Sequence, residues 1–214
     1  MEPLNLSTDI QKYLGAGPLT QPIAQDARLK TKLDELKSDK EKVYALLSYL
    51  LKHVSISFDN NFNAEHKFNR TAEEIWESHK ATGCTDWALL FATFARQNGI
   101  PTTFFTTAEE SWVTELLNGT PSRRVRGHSF CECFIDGKWQ LVDPTMSKIQ
   151  ANYNPNYIHL SGLTHYVGGK KNFIPYLRDI DLGQRQNMQI FVNNMVTNIE
   201  GSYTQNDLGL TKHK

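Results

Sequence analysis

The stretch "GHSFCECFIDGKWQLVDPT", residues 127 to 145, constrains the fold more tightly than any other part of the chain. Two runs of alternating apolar residues flank Asp136-Gly137, a dipeptide suited to the positive φ angles of a type I′ turn. The stretch therefore predicts a β-hairpin. A two-residue turn sets Ile135 against Lys138 and, counting outward, Phe130 against Asp143. Side chains alternate along a strand, so His128 and Phe130 share a face with Asp143. His128 and Asp143 then become diagonal cross-strand neighbours, about 7–8 Å apart at the backbone and within reach for long side chains. A three-residue turn would reverse the parity and bring Asp143 to the Cys131 face.

Upstream, the pattern is helical. Ser38 and Glu41 have the spacing of a capping box, followed by Val43, Leu46, Leu47, Leu50, Leu51 and Val54 as a buried stripe. That helix is expected to run to His53, ahead of a polar loop, "DNNFNAEH", after a shorter polar helix over 28–36. Thr71 and Glu74 repeat the capping-box pattern before Ile75 and Trp76. After Gly83 comes "CTDWALLFATFARQNG", a helix buried around most of its circumference, stopped at Gly99 and Pro101. "TTFFTT" reads as a strand, and "AEESWVTELLNG" as a short amphipathic helix on an excursion, with Trp112 its candidate for exposure to substrate. Downstream, "FIPYLRDIDLG" leads to a helix holding Met188, Ile190, Phe191, Val192, Met195, Val196 and Ile199. Helices first and returning strands after them give an α+β layout.

The composition narrows the class of function. Hydrophobic residues at 39% and charged residues at 21% suit a packed domain. Lysine plus arginine and aspartate plus glutamate tie at 23, so the net charge of zero favours neither nucleic acid nor an anionic membrane as partner. The basic run "SRRVRGH" reads as a solvated loop. No stretch reaches the roughly 18 apolar residues of a membrane span, and no signal peptide is visible, so the default expectation is cytoplasmic unless a signal has been removed. Three cysteines, an odd number, do not form a disulfide framework. Cys131 and Cys133 lack a second Cys/His pair at zinc spacing and read as packing residues, with Trp139 set against Phe134 across the hairpin. Trp87 reads as core, and Asp86 as a charge for free helix amides. "NRT" and "NGT" fit glycosylation acceptors, relevant only to a secreted eukaryotic chain.

Cys84 sits in the expected first turn of the buried helix, where unpaired amides and the helix dipole favour a thiolate. With His128 and Asp143, the sequence offers a thiol, an imidazole and a carboxylate able to orient it, the set a catalytic cysteine needs. At this point the chain resembles the transglutaminase-like superfamily of papain-type cysteine enzymes. The likeness is carried by "GCTDWALLFATFARQNGIP" and then "GHSFCECFIDGKWQLVDPT", with "YLRDIDLG" similar to the end of bacterial members.

The resemblance implies a papain-like core, with N-terminal helices and the nucleophile-bearing helix packed on a small antiparallel sheet. It implies Cys84 as nucleophile, His128 as base and then acid, and Asp143 as the orienting carboxylate. It also implies a second oxyanion donor upstream, for which His79, His53 and Trp76 are the candidates. The activity it suggests is hydrolysis of an amide or peptide bond through a thioester. No calcium-binding loop of the animal-transglutaminase kind is visible. Acyl transfer to an amine and a non-catalytic binding module are the alternatives. Residues 1–27 are expected to form an extended arm, 28–205 the catalytic domain, and 206–214 a frayed tail. No cofactor or metal is expected. The expected partner is a peptide or protein substrate, met by a monomer by default, with specificity in the loops 108–126 and 147–172.

Overall fold

The computed structural model describes residues 9–122, 125–160 and 171–204. A 3-10 turn over Ile10–Leu14 leads to α1 (Ala27–Asp34), α2 (Asp39–His53), β1 (Ser55–Ile56), α3 (Asn60–His66), α4 (Ala72–Ser78), β2 (Lys80–Ala81) and α5 (Cys84–Gln97). Then follow β3 (Thr102–Glu109), α6 (Glu110–Leu117), β4 (Gly127–Ile135), β5 (Lys138–Asp143), β6 (Lys148–Gln150), β7 (Ile158–Leu160), β8 (Lys171–Asp179) and α7 (Met188–Ser202). The layout is α+β. β1 and β2 form a small parallel pair, and the main sheet is antiparallel in the order β6-β5-β4-β3-β8-β7.

Local rules account for most of the helix starts. Ser38 Oγ accepts from the Glu41 amide at 3.2 Å while Glu41 accepts from the Ser38 amide at 3.0 Å, and Thr71 and Glu74 repeat the exchange. Such caps stabilise by about 1 kcal/mol each. Behind the first cap, Val43, Leu46, Leu47 and Leu50 are buried, but Leu51 is 46% exposed and leaves the stripe. Residues 59–66 hold α3 instead of the expected loop, because Asp59 accepts from the amides of Asn61 and Phe62 at 2.9 and 3.2 Å.

α5 lies against the middle of the sheet and is buried along nearly its whole length. Its C-terminal end is tied down. Arg96 donates to the carbonyls of Thr102 and Ile180 and to Thr20 Oγ1, and Gln97 exchanges hydrogen bonds with the Ile23 backbone. The lead-in 9–26 is thus strapped along the body, with Tyr13, Leu19 and Ile23 buried. The helix ends at Asn98, and Gly99 takes a φ of +78°.

The hairpin forms as its turn dictates. Asp136 and Gly137 have φ of +49° and +83°, and the ladder runs from Ile135–Lys138 through Phe134–Trp139 to Cys131–Val142. Trp139 packs on Phe134 with ring centroids 5.6 Å apart. One sheet face, with Cys131 and Cys133, joins the main core under α5. The other, with Phe105, Phe130, Leu141, Ile158 and Phe173, forms a second core. There Glu132 is paired with Arg178 and accepts from the Tyr153 hydroxyl at 2.6 Å.

α6 is the helix expected between the strands, but Trp112 is not offered to substrate. It is 2% exposed, and its indole N–H donates to the Ser122 carbonyl at 3.3 Å. The helix presents its apolar stripe inward, and Trp112 with Val113 is its main buried body. The tail over 206–214 and the middle of the loop 147–172 lie outside the described residues.

Candidate active site

The first turn of α5 differs from its far end. Gly83 precedes it with no side-chain cap, and the first helical bond is Trp87 N–H to the Gly83 carbonyl at 3.3 Å. The turn is anchored from below through Asp86. Its carboxylate is 1% exposed and accepts from the Thr82 amide at 2.7 Å, the Thr82 hydroxyl at 2.8 Å and the Arg70 guanidinium. Arg70, also buried, donates further to Ser78 Oγ and the Lys80 carbonyl, each at 2.8 Å. Asp86 therefore does more than neutralise amides. It is half of a buried ion pair that fixes the loop entering the helix.

This anchoring sets α5 alongside β4. Thr85 Oγ1 lies 3.1 Å from Ser129 Oγ, and Cys131 Sγ donates to the Ala88 carbonyl at 3.3 Å. Cys84 is thereby brought to the His128 end of the strand. A Cβ at Gly127 would collide with the Thr107 carbonyl oxygen, so glycine there lets β4 close on β3 just before His128.

The predicted imidazole and carboxylate meet. His128 Nε2 lies 3.0 Å from Asp143 Oδ2, and both side chains are buried. Asp143 Oδ1 accepts from the amides of Thr145 and Met146 at 3.0 and 3.2 Å, which fixes the carboxylate. The His128 ring sits edge-on to Phe130 at 4.5 Å. Cys84, partly exposed, completes the line. Burial pushes its thiol pKa up, but the charge of His128 and hydrogen bonds from His128 and the Ser129 backbone outweigh it, and the net shift is downward. Burial likewise lowers the His128 pKa, yet the Asp143 carboxylate and the Cys84 sulfur raise it to about 10. The two shifts together favour a thiolate–imidazolium pair. Burial pushes Cys133 up to about 12 and Cys131 well above the ordinary thiol value, so both stay protonated.

Cys84 and His128 open onto a cleft of about 550 Å³, with Asp143 behind the imidazole. One wall is apolar, made by Phe68, Phe191, Val192 and Met195, with Phe68 and Phe191 stacked at 3.7 Å. Lys67 and Gln189 stand in the same wall, and Tyr176 lies on the sheet side. His53, His79 and Trp76, all among the described residues, do not line it; they cluster with Tyr49 and Phe94 instead. The α7 wall and Tyr176 went unassigned in the sequence, although a proline inside a strand, at 175, signals a bulge that re-aims its neighbour. Among the described residues, no group of three or more His, Cys, Asp or Glu is arranged to hold a metal ion, and no helix is long and apolar enough to cross a membrane.

A thiol on a helix N-terminus facing His and Asp on adjoining antiparallel strands defines the papain-like class of cysteine site. The family model of the transglutaminase-like superfamily matches residues 27–144, more than half the chain, and the chain belongs to that superfamily. Among solved structures it is similar to "a Putative Cysteine Protease from Cytophaga hutchinsonii", with 17% identity and a TM-score of 0.50, over 80% of this chain and 64% of that one. It is also similar to a protein described as a TGase, with 14% identity and a TM-score of 0.39, over 78% of this chain and 38% of that one. The chain thus spans less than two thirds of the length of either. No curated protein matches it.

Proposed function

We propose that the chain is a cysteine hydrolase that cleaves an amide or peptide bond of a peptide or protein substrate through a thioester. The observation that carries this reading is the line from Cys84 and His128, which border an open cleft, to the fixed carboxylate of Asp143 behind them. With Nε2 on the carboxylate, proton exchange with the thiol falls to Nδ1 of His128. The Cys84 thiolate attacks the carbonyl carbon, and the carbonyl π electrons move to oxygen. The resulting oxyanion faces the unpaired amides of the first turn of α5, that of Cys84 foremost. Collapse expels the amine, which takes its proton from His128, and water drawn to the thioester by the same imidazole releases the acid. The Cytophaga protein's description as "a Putative Cysteine Protease" inclines the reading to hydrolysis over transfer.

The test is labelling with an electrophilic amide mimic, followed by turnover of a peptide and isopeptide library with and without an added amine. Cys84 is expected to label far faster than Cys131 or Cys133 in the unfolded chain, and His128→Ala to remove the difference. Equal rates would sink the enzyme reading and favour a binding module. Products that carry the added amine in place of free acid would turn it into acyl transfer.

A further inference from the structure

One oxyanion donor, the Cys84 amide, is built into the helix start; the second has to come from elsewhere. β8 carries an irregularity at the cleft. Thr106 pairs with Leu177 and Thr107 with Pro175, so Tyr176 has no partner on β3. Pro175 has no N–H to give to the ladder, and the strand bulges there. The bulge changes which face the side chains take. Phe173 belongs to the second core, whereas Tyr176 and Leu177 both turn to the α5 side.

The Tyr176 hydroxyl ends a chain of hydroxyls beneath the cleft. Thr85 lies 3.1 Å from Ser129, Ser129 lies 3.4 Å from Thr106, and Thr106 Oγ1 donates to the Tyr176 oxygen at 3.3 Å. Each hydroxyl has one hydrogen to donate. Since Thr106 gives its hydrogen to Tyr176, it accepts from Ser129, and Ser129 in turn accepts from Thr85. The polarity runs one way and leaves the phenolic hydrogen directed away from Thr106. All four residues line the same cleft as Cys84 and His128.

We propose that Tyr176 is a catalytic residue, the second donor to the oxyanion that forms when Cys84 attacks a carbonyl. The role rests on the reading of Cys84 as nucleophile. Burial holds the Tyr176 pKa above its ordinary value, with the Cys84 charge adding to the rise, so the phenol keeps its proton through the working range. The cooperative chain behind it strengthens the donor.

Tyr176→Phe removes only the oxygen and tests this. Two reactions of Cys84 are compared: alkylation by iodoacetamide, which forms no oxyanion, and acylation by p-nitrophenyl acetate, which does. The wild-type chain is expected to show His128-dependent alkylation, and its absence would overturn the nucleophile reading and this role with it. In Tyr176→Phe, acylation is expected to fall roughly 10²–10³-fold, the loss typical of one oxyanion donor, with alkylation and its pH midpoint held within about twofold. Equal losses in both reactions, or a shifted alkylation midpoint, would assign Tyr176 to the thiolate or to the fold and overturn the role. Thr106→Val, which keeps the shape but withdraws the hydrogen given to Tyr176, carries the test should Tyr176→Phe not fold. It is expected to lower acylation roughly fivefold at unchanged alkylation, and no loss of acylation there would also overturn the role.

Discussion

The two ends of α5 make opposite use of one helix. At the C-terminal end Arg96, Gln97 and Asn98 hydrogen-bond to the lead-in, to β3 and to the segment after β8, and Gly99 closes the turn. At the N-terminal end Gly83 supplies no cap, and Cys84 stands partly exposed on the cleft. The first arrangement satisfies the ends of the chain; the second withholds that satisfaction at the backbone amides and anchors the turn by side chains below it. A helix end is open to a bound group when its position is fixed by one set of groups and its amides are left for another.

The comparison breaks most severely at His128. His128→Ala is expected to lower turnover by about 10³-fold or more, since the thiol loses the base that ionises it. Asp86→Ala strikes the anchor. It leaves Arg70 charged and buried without its partner, and chemical denaturation is expected to show a loss of about 3–5 kcal/mol together with slower Cys84 labelling. Arg96→Met cuts the equivalent ties at the other end. The expected cost is about 2–3 kcal/mol, with Cys84 labelling in the folded protein unchanged, and slowed labelling there would mean the two ends are not separable.

The pH profile sharpens the same contrast. Below the Cys84 midpoint, which lies under the ordinary thiol value, reactivity is expected to fall tenfold per unit, about 1.4 kcal/mol each, as the thiolate takes a proton. Above a pH of about 10 His128 loses the proton that the leaving amine requires, so kcat/KM falls again and the profile is bell-shaped. Asp143→Asn removes the charge that raises His128, and the alkaline limb is expected to move down. The smallest effect is expected from Gly99→Ala, where a side chain at positive φ costs about 1 kcal/mol and the labelling rate stays as it was.

What the sequence disclosed was whatever local chemistry decides. Asp136-Gly137 fixed the turn and with it the parity that brings His128 and Asp143 together, and two capping boxes fixed where helices begin. α3 escaped notice because it has no buried residue and therefore no apolar period; its Asp59 cap was the only sign. The helix around Trp112 was legible, but not the direction it faces, because that depends on which strands close beneath it. Arg70 and Asp86 are separated by sixteen positions in the chain, and no spacing rule joins them. The cleft wall was hidden for the same reason: the stripe of α7 announces an amphipathic helix without saying what it covers.

That wall has a consequence for the order in which the protein is made. Cys84, His128 and Asp143 are all joined to the chain before any residue of α7, and so is Tyr176. A nascent chain that folds from its N-terminal side would assemble its thiol, imidazole and carboxylate first, against a cleft still open along the flank that Phe191, Val192 and Met195 later close. The apolar flank of the cleft is then the last part of it acquired in synthesis. A chain released early, near residue 180, would carry the thiol, the imidazole and the carboxylate without that flank.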